Sequence, residues 1–169
     1  MSFAIFLALA ATQPVVRTPP PLTTIPARGE EAKIIKAVAD VYAIISGPAG
    51  QKRDFARMKT LFTPDARLYA VGQRGLQGGS LDDYIEKSGP LLEKVGFTEK
   101  ELTRRIELYG NVAQVWSSYA GTSTDGSVNV RGINSLQLAR QPDGRWLVHS
   151  ILWQQERPDL RLPADMEAR

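Results

Sequence analysis

The apolar residues of this 169-residue chain change their spacing at Gly96, and that change constrains the fold more than any other feature. Before it they recur at intervals of three and four, as on one face of a helix; beyond it they recur at every second position, as along a strand. From Glu30 to Ser46, Ile34, Ile35, Val38, Val41, Tyr42 and Ile45 form one stripe, with Glu30 and Glu31 in the first turn, where negative charge suits the helix dipole. Gly47-Pro48 ends that helix. A shorter helix is predicted over 53–62, where Phe55, Met58, Leu61 and Phe62 share a face, and Pro64 predicts a break before a strand over 67–71. The stretch 72–79 has four glycines and reads as a mobile loop. Ser80 and Asp83 form a capping box for a third helix, expected to be interrupted at Gly89-Pro90 and to resume through Leu91, Leu92 and Val95.

After Gly96, strands are predicted over 98–109, 112–122, 127–140 and 145–156, with turns at Gly110-Asn111, Asp125-Gly126 and Pro142-Asp143-Gly144. Helices first and an antiparallel meander afterwards define the α+β class. The last strand carries apolar residues on both faces: Trp146, Val148 and Leu152 on one, Leu147, Ile151 and Trp153 with His149 on the other. Both faces should then be covered. Helices cover one, and the expectation for the other is a second copy of the chain, a homodimer through the sheet; the alternative is that Trp146 and Leu152 stay partly exposed.

Residues 1–11 contain a short apolar run with small residues in A-x-A spacing at Ala8 and Ala10, and read as a signal peptide, although no Lys or Arg precedes the run. Export to the periplasm or beyond is the expectation, a cytoplasmic protein the alternative. Residues 12–29 hold five prolines and read as a linker, 30–157 as the folded domain and 158–169 as a C-terminal tail. The run is too short for a stable membrane anchor. Zero cysteines and a single histidine exclude a disulfide framework, a thiol nucleophile and a multi-histidine metal site within one chain. Arg17 and Arg28 account for most of the net charge of +3, leaving 19 basic and 18 acidic side chains beyond them, so no clustered nucleic-acid footprint is expected. Neither a metal nor a cofactor is expected.

Three stretches carry a family resemblance: Val38-Ala-Asp-Val-Tyr-Ala-Ile-Ile45, Leu61-Phe-Thr-Pro-Asp-Ala66 and Gly144-Arg-Trp-Leu-Val-His-Ser-Ile-Leu-Trp153. With them, residues 30–157 resemble the nuclear transport factor 2-like superfamily, in its SnoaL-like and ketosteroid-isomerase-like branch. The resemblance implies a cone-shaped half-barrel, a curved sheet wrapped around the N-terminal helices with a pocket between them. It implies no single reaction, because isomerases, dehydratases, cyclases and transport adaptors share the fold. Set against ketosteroid isomerase, the general-base position falls at Ala70, which cannot accept a proton. The second acid falls at Asn134, and the tyrosine of the first helix near Tyr42.

Alternation also places Asn134 among Val128, Val130, Leu136 and Leu138, where an unpartnered amide would cost about 1–3 kcal/mol. It therefore faces a ligand, a water or another polar group, or it is a satisfied core residue. His149 falls on the face of Leu147, Ile151 and Trp153, and is the candidate acid or base because its ordinary pKa lies near neutrality; the alternative is a hydrogen-bonded structural residue. The expected site thus comprises His149, Asn134 and Tyr42, lined by Val38, Leu68, Ala70, Trp116, Ser118, Leu136, Ile151 and Trp153. Asp65 reads as a turn cap, and Glu99, Glu101, Arg104, Arg105 and Glu107 as cross-strand charge pairs. The function these features suggest is binding of a small hydrophobic molecule, with cofactor-free isomerase, dehydratase or cyclase chemistry if the site is catalytic. The alternative is a non-catalytic module that binds a protein through the sheet face.

Overall fold

A computed structural model describes residues 28–168; the expected leader at 1–11 and most of the linker at 12–29 lie outside them. Helix α1 spans Arg28–Ile45, and Ile34, Ala37, Val38, Val41, Tyr42, Ile44 and Ile45 are buried along it. Helix α2 is a single turn, Phe55–Lys59, capped by the Asp54 carboxylate accepting from the Arg57 amide at 2.9 Å. Helix α3, Leu81–Val95, begins with the expected capping box between Ser80 and Asp83. It is not interrupted at Gly89-Pro90. Pro90 forfeits one backbone donor inside the helix, while Gly89 is buried against Phe55, whose ring would lie 2.9 Å from a Cβ at that position.

Six strands form one sheet: β1 (Phe62–Gly72), β2 (Gly75–Ser80), β3 (Phe97–Tyr109), β4 (Val112–Ser123), β5 (Asn129–Arg140) and β6 (Trp146–Gln155), in the order β2-β1-β6-β5-β4-β3. All neighbours are antiparallel except β1 and β6, which run parallel. The glycine-rich stretch is therefore half of a hairpin rather than a loop. Its turn is closed by Gly75 at φ 80°, a conformation that favours glycine. As an edge strand it needs only backbone pairing with β1, which overrides the low strand propensity of glycine. Pro64 does not delay β1 either, because the ladder to β6 shifts register between Phe62 and Arg67 and spares the residues between them.

Two further register shifts bend the sheet around α1. In β3 the partners jump from Glu101↔Tyr119 to Thr103↔Ser118, leaving Leu102 as the extra residue. In β6 they jump from Ser150 to Val148, leaving His149 extra. Each bulge exchanges the faces of everything beyond it. Trp146 and Val148 thus turn inward with Ile151 and Trp153, and the indole N–H of Trp146 donates to Glu30 of α1 at 2.8 Å. The outer face is partly covered by the chain itself. Residues 157–168 fold back across it, burying Leu162 and Met166, and the Met166 carbonyl accepts from the Ser118 hydroxyl at 2.6 Å.

Candidate functional site

A cavity of about 270 Å³ opens between α1, α3 and the concave face of the sheet. Val38 and Tyr42 of α1, Tyr84 and Leu92 of α3, and Leu68, Phe97, Tyr119, Leu136, Ile151 and Trp153 of the strands form most of its wall. The polar minority is Glu99, Asn134, Ser88, Gln155 and the tyrosine hydroxyls. Tyr84 and Trp153 meet edge to face, with centroids 6.4 Å apart and planes at 86°. Gly132 lets Tyr119 pack against β5, because a Cβ there would collide with the Gln154 carbonyl oxygen and sit 2.7 Å from the Tyr119 hydroxyl.

Glu99 is held from both sides. Its backbone N–H donates to Ser46 Oγ at 3.0 Å, one residue past α1, and the adjacent Gly47 bridges to Phe97 in both directions at 2.7 and 2.9 Å. One carboxylate oxygen accepts from Asn134 Nδ2 at 3.2 Å. Burial pushes the Glu99 carboxyl up to about 7, and the Asn134 hydrogen bond offsets only part of that rise. Burial likewise raises Tyr42, Tyr84 and Tyr119 well above the ordinary phenol range, so all three are neutral near neutral pH.

A chain of hydrogen bonds runs from Glu99 along the concave face to the Glu101–Arg104 pair of β3, and its proton directions are determined by that end. Glu101 is ion-paired with Arg104, whose Nε lies 2.9 Å from the carboxylate, so Glu101 can only accept. Ser117 must donate its one proton to Glu101 Oε1, at 2.6 Å, and therefore accepts from Tyr42 at 2.8 Å. Tyr42, having donated, accepts from Asn134 Nδ2 at 2.9 Å. The amide nitrogen of Asn134 thus serves Tyr42 and Glu99 together, and its carbonyl oxygen is left over. Neither Tyr42 nor Asn134 keeps a free proton to donate. Glu99 itself, when protonated, is the one donor that this network leaves to the cavity, beside the Tyr84 and Tyr119 hydroxyls of the remaining wall.

The structure brings Tyr42 and Asn134 together, in direct contact, and places Val38, Leu68, Leu136, Ile151 and Trp153 in the wall. It does not bring His149 to them. As the bulged residue of β6, His149 has a side chain 50% exposed, with Nδ1 2.9 Å from Thr63 Oγ1 and 3.8 Å from Asp65. Trp116 and Ser118 face outward: Trp116 is 37% exposed on the convex side, and Ser118 is fully buried under the C-terminal segment. Ala70 lies beside Trp153 in the β1–β6 register but does not line the cavity. Glu99 and Glu101, expected in cross-strand charge pairs, are the residues that sequence reasoning missed. A parity break was there to be read. Phe97 and Ile106 both belong to the inner face, yet nine positions separate them, an odd interval that strict alternation forbids and one bulge restores.

No protein-family model and no curated protein matches the chain. Solved structures do. A nuclear transport factor 2-like superfamily protein from Salmonella enterica superposes with TM-score 0.63 at 20% identity, over 78% of this chain and 94% of that one. A candidate dehydratase of the same family from Streptomyces avermitilis gives 0.59 at 16% identity, over 76% and 97%. A candidate ketosteroid isomerase from Shewanella frigidimarina gives 0.52 at 17%, over 73% and 93%. At these identities the likeness concerns architecture, and the chain has the nuclear transport factor 2-like fold: an α+β cone in which a curved, mostly antiparallel sheet packs on the N-terminal helices.

Proposed function

We propose that the cone binds a small, largely apolar molecule and that Glu99 exchanges a proton with it. One observation carries this reading: a carboxyl group in an apolar cavity, raised to about 7, has both protonation states populated near neutral pH. Acid–base chemistry without a cofactor, of the isomerase or dehydratase type, needs such a group in contact with its substrate. Glu99 takes the role that alternation suggested for His149, and Asn134 and Tyr42 hold Glu99 in place rather than donating to the ligand. The volume is at the small end of ligand cavities, which favours a compact molecule.

Ser88 lies on the α3 wall and offers a direct test. Ser88→Trp should fill the cavity while leaving the sheet intact. In a thermal-shift screen of small aromatic and alicyclic compounds, those that raise the wild-type melting temperature should lose that effect in Ser88→Trp. Stabilisation that survives the substitution would place binding elsewhere.

A homodimer through the sheet is part of the same proposal. Its support is a groove of about 400 Å³ on the convex face, lined by Trp116, Ile133, Leu152, Leu160 and Leu162, where Trp116, Leu152 and Leu160 are exposed. Leu152→Glu should convert a dimer into a monomer by sedimentation analysis, with little effect on folding. An unchanged sedimentation coefficient would remove this face from the interface.

A further inference from the structure

We infer that the cavity's ligand is an organic cation, a protonated amine on a compact apolar body, whose ammonium group pairs with Glu99. This deepens the proposed function and rests on it, since it names the chemical class that the same cavity would accept.

Among the described residues, Glu99 is the one acid in the cavity wall, and no Lys, Arg or His lines it. Arg104, the guanidinium nearest to the network, is already taken by Glu101 on the other side of Ser117. The groups facing Glu99 from the elements around it are Tyr42 of α1, Tyr84 of α3, Tyr119 of β4 and Asn134 of β5, all neutral. An ionised Glu99 is thus a buried charge without a counter-ion, a state that becomes favourable once a cation arrives.

The rest of the wall fits the same ligand. Tyr42, Tyr84, Phe97, Tyr119 and Trp153 supply five aromatic rings, and the perpendicular Tyr84–Trp153 pair forms two walls of an aromatic corner. Ring faces attract ammonium groups, more strongly where water is excluded. The hydrogen-bond polarity agrees, because the Asn134 and Tyr42 protons are committed within the network and the Asn134 carbonyl oxygen is left as an acceptor. A ligand bringing N–H donors finds two acceptors at this end of the cavity, the ionised Glu99 carboxylate and the Asn134 carbonyl oxygen; a ligand bringing only acceptors finds a donor in Glu99 only when that carboxyl is protonated, and otherwise depends on the hydroxyls and the Gln155 amide elsewhere in the wall. When a neutral amine enters, the proton moves from the Glu99 carboxyl to the amine nitrogen. When an ammonium ion enters, that proton leaves to solvent.

Benzylamine, benzyl alcohol and benzoate share one body and differ in charge, so calorimetric titration of the full chain with each, at pH 6 and pH 8, decides the matter. Benzylamine, protonated throughout this range, should bind the most tightly at pH 8. Its affinity should fall about tenfold at pH 6, where binding must displace the Glu99 proton. Glu99→Gln should abolish both the preference and the pH dependence, and Ser88→Trp should abolish binding. Benzyl alcohol or benzoate binding as tightly as benzylamine, in a manner sensitive to Ser88→Trp, would overturn the cation and leave the cavity reading standing. Benzylamine binding unchanged in Glu99→Gln would also overturn it. If none of the three binds, the cation assignment falls, and an empty thermal-shift screen alongside would take the cavity reading with it.

Discussion

Replacing Glu99 with glutamine should make the protein more stable by about 3 kcal/mol at pH 8 and by less than about 1 kcal/mol at pH 5. The folded state raises this carboxyl from 4.5 to about 7, and each unit corresponds to about 1.4 kcal/mol. A folded pKa above the unfolded one means that the folded protein holds the proton more tightly. The resulting stabilisation is complete below about pH 4.5 and is lost as pH rises through 7. Above that range the wild type keeps a carboxylate buried in an apolar cavity, and Glu99→Gln does not, while its amide preserves the shape of the site. Urea denaturation of both proteins from pH 5 to pH 8 gives the difference directly. Parallel stability curves would mean that Glu99 titrates as an ordinary surface carboxylate and would remove the basis of the proposed function. The gain in stability should accompany loss of the pH-dependent binding, as expected where a site keeps a destabilising group for its chemistry.

A second substitution should do the opposite. Arg53 is buried, and its guanidinium donates to the carbonyls of Ile45 at 3.1 Å, Gly47 at 2.7 Å and Leu92 at 3.0 Å. It therefore joins the end of α1, the bridge to β3 and the last turn of α3, where helix dipoles favour a positive charge. Arg53→Met keeps much of the volume and none of the donors. Several carbonyls then lose their partner, and the expected loss is about 3–5 kcal/mol, with a melting temperature lower by on the order of 10 °C. Arg53→Lys should recover only a fraction, because one ammonium cannot span the three carbonyls. A loss below about 1 kcal/mol in Arg53→Met would show that water replaces the guanidinium without penalty.

These two residues also mark how far the sequence could be read. The order of helices and strands followed from apolar spacing, and the capping box at Ser80 followed from two residue types at the right interval. Asn134 reached the cavity because β5 alternates without interruption between Val130 and Leu138. Alternation puts His149 on the cavity face and charge pairing takes Glu99 out of it, and both readings fail beside a bulge, which is one residue of backbone with no composition of its own. Apolar parity betrays it only when inward residues are known on both sides, as with Val148 and Ile151. Arg53 was illegible for another reason. Its partners are backbone carbonyls from three segments, and no side-chain pattern records where those carbonyls converge.

The single parallel pairing in the sheet has a consequence for how the chain comes to be complete. Every other strand finds its partner across a turn, but β1 joins β6 only across the whole of α3 and the meander, with Leu68 set beside Ile151 and Ala70 beside Trp153. Until residue 153 has been synthesised, β1 has only the glycine-rich β2 to pair with, and Leu68 faces no opposite wall. Both ends of the domain must therefore be in hand before the cone can shut, and the chamber around Glu99 belongs to no shorter piece of the chain.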